Sequence, residues 1–188
     1  MDRAARTRLA EPRPPALASG VRRRVVVHTG PMSRVVERVR NFGHRPWFAR
    51  LGRTLMPLDR LVGKATRGRF VAFGLRELPS MILTTTGRRT GQPRDTPLLY
   101  VTDGDGYLVI GSNWGRQEQP TWTGNLLANP DAVVTAGGRR IPVRARLVTG
   151  EERERDVAAL RRMWPAYATY ETRAGGRELR VFRLEPAD

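Results

Sequence analysis

Residues 80–102 read SMILTTTGRRTGQPRDTPLLYVT, and this stretch decides the fold. Ser80–Thr86 is an apolar, β-branched run that stops at Gly87, which is the pattern of a strand. Arg94–Thr102 is a second run of the same kind, and Pro97 within it points to an edge strand or a bulge. Between them lies a short loop, Gly87–Arg94, so the two runs form a hairpin. Downstream the pattern repeats. Asp103–Gly106 (DGDG) is a turn signal, and Tyr107–Ser112 is a third strand. Gln119–Ala128 reads as a helix, opened near Pro120 and Thr121 and closed by Asn129–Pro130. Ala132–Ala136 is a fourth strand. Gly137–Gly138 turns into a fifth, Ile141–Thr149. Glu151–Met163 is a helix with acidic residues in its first turn, where they suit the macrodipole. Leu179–Leu184 closes the series. Six short strands with inserted helices predict a mostly β (α+β) domain, a closed or split β-barrel, over residues 79–188.

Upstream the character changes. The net charge is +16, and residues 1–80 carry 18 basic against 5 acidic side chains, whereas 81–188 carry 16 against 13. Residues 1–31, rich in Arg, Pro and Ala, read as disordered, or as untranslated if synthesis begins at Met32, ahead of a helix N-cap at Ser33. Residues 32–78 form a basic N-terminal segment. Val35, Val36, Val39 and Phe42 fall at helical spacing. A second amphipathic stretch carries Trp47, Phe48, Leu51, Leu55, Leu58, Leu61 and Val62 among arginines, with Pro57 expected to break or kink it. Such a segment, within 33–62, suits an anionic membrane surface, and it equally suits a helix packed on the domain with its Arg face in water. Nearly every basic residue is Arg, Lys64 being the sole Lys. That bias follows from a GC-rich genome as readily as from function, so arginine counts alone carry no site. No run of roughly 18 apolar residues exists to span a bilayer, and no apolar core of a signal peptide is present. The expected location is the cytoplasm, with the inner face of the plasma membrane as an extension of it.

Chemistry is constrained first by absences. There is no Cys, and His28 and His44 sit in no ligand pattern, so no metal is expected. There is no GxSxG elbow, P-loop or HExxH. Gly104 and Gly106 start a GxG, but Val109 holds the place of the third glycine. Nucleic-acid binding lacks a motif and is not expected. What remains open is chemistry carried by a bound cofactor.

Four segments bear on such a cofactor. In Gly87–Arg94 the glycines allow a tight turn, Arg88, Arg89 and Arg94 offer bidentate donors to phosphate, Thr90 adds a hydroxyl, and exposed backbone N–H groups suggest an anion nest. On composition alone a solvated turn is the simpler reading. Ile110-Gly-Ser-Asn-Trp-Gly115 puts small residues at a strand end, leaving room for a flat ring. Pro120–Leu126 opens a helix whose N–H groups favour an anion. Trp164, Tyr167 and Tyr170 share one side of a helix, a pattern more common in cores than in ligand walls.

Taken together, LTTTGRRTGQPR (Leu83–Arg94), PTWTGNLLANP (Pro120–Pro130) and WPAYATY (Trp164–Tyr170) resemble, in order and spacing from Met81 to Pro186, the deazaflavin-dependent nitroreductase and quinone reductase family. The resemblance implies a flavin-type split β-barrel and the cofactor coenzyme F-420, an 8-hydroxy-5-deazaflavin. It implies that Arg88, Arg89 and Thr90 hold the phosphate and tail. Arg94, Asp95, Thr96, Pro97, Leu98 and Leu99 would line the deazaflavin and ribityl chain. Ile110, Gly111, Ser112 and Asn113, with Thr121, Trp122, Thr123, Gly124 and Asn125, would close round the rings, and Tyr167 would approach them. Ser112 and Tyr170 would face the substrate, a quinone, nitro compound or similar electron-poor acceptor, as the catalytic pair. The alternative is a deazaflavin- or flavin-binding protein without turnover. Leu99 and Trp164 stand where the nitroimidazole-activating member has tyrosines, and Trp114 narrows the expected ring pocket, so that member's substrate preference does not carry over.

Overall fold

The computed structural model describes residues 25–26, 42–65 and 78–187. The expected helix at Val35–Val39, most of the segment 1–31 and the alternative start at Met32 lie outside the described residues. Eight strands form one sheet: β1 (Val25–Val26), β2 (Ser80–Thr86), β3 (Pro93–Leu99), β4 (Val101–Asp103), β5 (Gly106–Ile110), β6 (Asp131–Ala136), β7 (Arg139–Val148) and β8 (Val181–Pro186). Among the described residues the helices are α1 (Pro46–Ala65), α2 (Thr121–Ala128), α3 (Gly150–Met163) and α4 (Ala166–Arg173), with a 3-10 turn at Asn113–Gly115. Strands run antiparallel in the order β1-β4-β5-β8-β7-β6-β2-β3.

That order explains the curl. β3 and β4 stand near opposite ends of the sheet, yet Tyr100 alone joins them in the chain. The two ends must therefore meet, and the sheet rolls into a split barrel. The single expected strand over Arg94–Thr102 is thus two strands. Up to Leu99 the chain pairs with β2; at Tyr100 the backbone N–H donates to the Pro79 carbonyl, and from Val101 the chain pairs with β5. Pro97 does sit on an edge strand, where its missing N–H costs little.

Two apolar clusters lie on the two faces of the sheet. Met81, Leu83, Val109, Val134, Val143, Phe182 and Leu184 fill the barrel, closed by Trp122 and Leu126 of α2. β2 and β5 both contribute although three strands separate them, as a rolled sheet requires. On the outer face Leu108, Ile110 and Val181 meet Val157, Leu160 and Met163 of α3, and Tyr167 and Tyr170 of α4. Alternation along β5, with Val109 inward and Leu108 and Ile110 outward, buries both sides of that strand.

The start of α1 is locked onto the outer cluster. Phe48 is buried beside Trp114 and Trp164. The Tyr170 hydroxyl donates to the Gly43 carbonyl at 2.7 Å, and Arg173 donates to the His44 carbonyl. Gly43 is required there, because a Cβ would stand 2.6 Å from the Trp164 ring. Helix α1 then runs through Pro57 without the expected break. Its exposed side carries Trp47, Leu51, Leu58, Leu61 and Val62, with Leu61 67% exposed. The packed reading therefore holds for the start of the helix, whereas its later turns leave large apolar side chains exposed. Among the described residues no helix is long and apolar enough to cross a membrane.

Candidate functional site

The β2–β3 loop, the first half of β3 and the start of α2 enclose an open cleft of about 570 Å³. Its walls include Arg88, Arg89, Thr90, Arg94, Asp95, Thr96, Thr121, Trp122 and Asn125. The loop is shaped by local bonds. The Gly87 N–H donates to the Gln92 carbonyl at 2.8 Å, and the Gly87 carbonyl accepts from Thr90 and Gly91, the latter with φ of 66°. A non-glycine residue at 91 would carry the steric cost of a left-handed conformation.

This closure corrects one expectation. The backbone N–H groups of Gly87, Arg88, Thr90, Gly91 and Gln92 are all donated within the protein, so they do not form an anion nest. The glycines tighten the turn onto its own carbonyls instead. The donors left for an anion are the Arg89 N–H and the side chains. Among the described residues no carboxylate pairs with Arg88, Arg89 or Arg94. Three uncompensated guanidiniums around one cleft make a strong anion site.

Helix α2 holds this loop in place. Asn125 is buried and ties the end of β2 to the loop that follows it. Its Oδ1 accepts from the Arg88 N–H at 3.1 Å, and its Nδ2 donates to Thr85 Oγ1 at 3.0 Å. Gly124, one residue earlier, carries the Arg88 side chain across its face, so closely that a Cβ there would stand 1.7 Å from Arg88 Nη1. Gly124 thus makes room for the Arg88 guanidinium at the cleft. On the same turn Thr123 is fully buried, donates to the Pro120 carbonyl at 2.9 Å, and would meet a Cβ at Gly111. One turn of α2 therefore ties the cationic loop to the end of β5.

The other expected site residues lie around that second point or in the outer core. Pro97 and Leu98 continue β3 beyond the cleft, and Leu98 packs against the barrel interior. Leu99, Ile110 and Tyr167 belong to the outer cluster. Burial, then neighbouring Tyr170, push the Tyr167 phenol well above the ordinary tyrosine range, so it stays neutral. Tyr170 is 1% exposed, and its hydroxyl is taken by the Gly43 carbonyl. That engagement places it as a fastening for α1 rather than as a free proton donor. Tyr170→Phe leaves the buried Gly43 carbonyl without its partner, so about 1–2 kcal/mol of stability should be lost in denaturant melts. A drop in turnover without that loss would restore the hydroxyl to the chemistry. Ser112 is half-buried, and its hydroxyl makes no hydrogen bond among the described residues. The segment after it is strained: Asn113 and Trp114 both hold left-handed backbones, with φ of 47° and 56°. Each costs roughly 1–2 kcal/mol relative to a right-handed conformation.

Arg177 escaped the sequence reading, because arginines were discounted and its partners lie about sixty residues upstream in the chain. Its Nε donates to the Arg116 carbonyl at 3.0 Å, Nη1 to the Gly111 carbonyl and Gln119 Oε1, and Nη2 to the Ser112 carbonyl at 2.9 Å. Burial, and next the nearby Arg180, push it down from the ordinary arginine range. No local sequence signal marks such a residue.

Fold and site together define a split-barrel protein with a cationic cleft between a β-hairpin loop and a helix start, the layout of a phosphate-bearing flavin-like cofactor site. A family model described as F420H(2)-dependent quinone reductase matches residues 60–186. The F420H(2)-dependent quinone reductase of Mycobacterium tuberculosis is similar over 103 residues at 40% identity, covering 54% of this chain and 69% of that one. Among solved structures, an F420-H2 dependent reductase (FDR-A) superposes with a TM-score of 0.53 at 35% identity, over 57% of this chain and 94% of its own. A chain described as a domain-swapped dimer gives a TM-score of 0.54 at 32% identity, over 69% and 99%. The chain belongs to the F420H(2)-dependent quinone reductase family.

Proposed function

We propose that this protein is a coenzyme F-420-dependent reductase that passes hydride to a quinone or a related electron-poor acceptor. The observation that carries the reading is the uncompensated Arg88–Arg89–Arg94 cluster, held against α2 by Asn125 and Gly124. The donor set fits the cofactor: guanidiniums suit a phosphate and an acidic tail, and the cleft extends along the first half of β3, from Pro93 to Thr96. When bound, the reduced deazaflavin supplies hydride. Arg88, Arg89 and Thr90 would hold the phosphate and tail, and Arg94, Asp95 and Thr96 would flank the ribityl chain. Thr121, Trp122 and Asn125 would form the opposite wall. The Ser112 hydroxyl is then the side-chain donor to hydrogen-bond the developing oxyanion of the acceptor, while the strand-end residues 110–113 limit water.

Titrating the purified full-length protein with oxidised F-420, and separately with flavin mononucleotide, tests the cofactor. F-420 should bind at least about tenfold more tightly, and a preference for the mononucleotide would remove the deazaflavin reading. Turnover of menadione by reduced F-420 separates an enzyme from a carrier that only binds.

A lipid-soluble acceptor would also give the exposed face of α1 a use. Trp47, Leu51, Leu58 and Leu61 are exposed, Arg45 and Arg50 lie exposed nearby, and residues 1–80 carry most of the positive charge. The fitting partner is an anionic membrane surface. Vesicles containing phosphatidylserine should bind the protein, more weakly as salt rises, whereas neutral vesicles should not. Substituting Leu58 and Leu61 by Ser should weaken this binding by about tenfold or more and leave F-420 affinity unchanged. Equal binding by that variant would dismiss α1 as the membrane contact.

A further inference from the structure

We propose that Arg177 is a positioning residue for the reductase reaction: it sets the conformation of Gly111–Arg116, and through it the place of the Ser112 hydroxyl and the Trp114 ring. This deepens the function proposed above and rests on that reading of the site.

Three observations converge. The loop adopts an unfavourable shape, with Asn113, Trp114 and Gly115 consecutively left-handed. No strand ladder or α-helical bond holds it, only a single 3-10 turn. Its own closures are the Gly115 N–H to the Ser112 carbonyl and the Arg116 N–H to the Asn113 carbonyl. Three carbonyls of the segment, that of Ser112 shared with the turn's own closure, converge on one guanidinium. Arg177 reaches the carbonyls of residues 111, 112 and 116 at 2.9–3.1 Å and also Gln119 Oε1 at 2.9 Å. Gln119 in turn donates to the Glu178 carbonyl at 3.0 Å, so the clamp is anchored at both ends to the lead-in of β8. A planar fork with five donors can satisfy this set, and an ammonium with three flexible donors can satisfy only part of it.

The clamped loop lies where the reaction would need a wall. Gly111 packs on Thr123 at the start of α2, one residue from the glycine that seats Arg88. Trp114 lies between Phe48 of α1 and Tyr170 of α4, with ring centroids 6.4 and 6.1 Å away. Arg177 lines no part of the cationic cleft. Its loss should therefore spare cofactor binding and harm handling of the acceptor.

The test uses full-length Arg177→Met and Arg177→Lys with two kinds of readout. The first is amide hydrogen exchange. Amides 113–116 should exchange about tenfold faster or more in Arg177→Met, with β2 and β3 unchanged, and Arg177→Lys should fall between. The second is kinetic. Affinity for oxidised F-420 should stay within about threefold of wild type, while kcat with menadione falls about tenfold or more and partly recovers in Arg177→Lys. Unchanged exchange at 113–116 overturns the proposal, as does a loosened loop with unchanged kcat. A loss of F-420 affinity parallel to the loss of kcat overturns it too, because the effect would then be general. Should wild-type protein neither bind F-420 nor reduce menadione, the proposed function fails instead, and the exchange result alone decides whether Arg177 clamps the loop. If Arg177→Met does not fold, Arg177→Lys carries both comparisons against wild type, with the same directions.

Discussion

Gly124→Ala should make the protein more stable and its cofactor binding weaker. The residue is inside helix α2, where alanine is favoured over glycine by about 0.5–1 kcal/mol. The new methyl group collides only with the far end of the Arg88 side chain, which can swing away at little cost to the fold. What is lost is the seat that aims the Arg88 guanidinium into the cleft. Charge-assisted bonds of this kind contribute about 1.5–3 kcal/mol each, so F-420 affinity should fall roughly ten- to hundredfold. Arg88→Ala should show the same loss, and the double variant should be no worse than either, because both remove one interaction. Thermal melts and absorbance titrations read the two effects separately. Wild-type affinity in Gly124→Ala would show that Arg88 does not act from this position.

Arg183→Met should cost far more than its sequence context suggests. Arg183 is 9% exposed and is the cation at the centre of a buried cluster. It contacts Asp103 at 2.5 Å, Asp156 at 3.2 Å and Glu152 at 3.4 Å, so it joins the end of β4 to β8 and α3. Asp103 and Asp156 are each 2% exposed, and neither Asp103 oxygen has a hydrogen bond, Oδ2 having only its ion pair with Arg183. Removing the cation strands these carboxylates, a loss of about 3–5 kcal/mol. For a domain of this size that is a fall in Tm on the order of 10 °C. The pH dependence gives a second check. Burial is the largest influence on Asp156 and raises its carboxyl above the ordinary value, with Arg183 opposing it. Without Arg183 the folded Asp156 carboxyl rises further. Its protonated form is favoured by folding, so stability is present below the unfolded carboxyl value and lost as pH rises through the raised one. The gap to wild type should therefore be small near pH 4 and widest near neutrality. A gap independent of pH would mean that packing, and not charge, explains the loss.

These two residues mark where reading the chain reached its limit. Gly124 was legible as part of a cofactor segment, but its role there was not, because the atom it accommodates belongs to a loop 36 residues earlier. Arg183 looked like one more arginine in an arginine-rich chain, on the outward phase of a closing strand. Its partners come from a turn and a helix that only folding brings beside it. Asp103, likewise, read as a hairpin turn residue and proves to be a buried member of that cluster.

Local information went further for the frame. The period of two, the β-branched runs and the turn glycines placed the hairpins, and Gly137–Gly138 takes positive φ at both positions, as a tight turn requires. The cationic loop was legible from its residue types. What sequence alone determined, then, was the strands and helices from Ser80 onward to within a few residues, apart from the break at Tyr100, together with the chemistry that the Gly87–Arg94 loop can offer; β1 at Val25–Val26 falls in a stretch that reads as disordered, and α1 runs on through Pro57. Only the tertiary structure decided that the chain changes partner at Tyr100 and so rolls the sheet into a barrel. It alone decided that most of the loop's backbone donors are spent internally, that Tyr170 fastens α1, and that Arg88 and Arg177 are held in positions set by distant segments. The physical reason is one of range. Propensity and periodicity act between neighbours, whereas a buried polar group takes whatever partner the packed fold brings within hydrogen-bond distance.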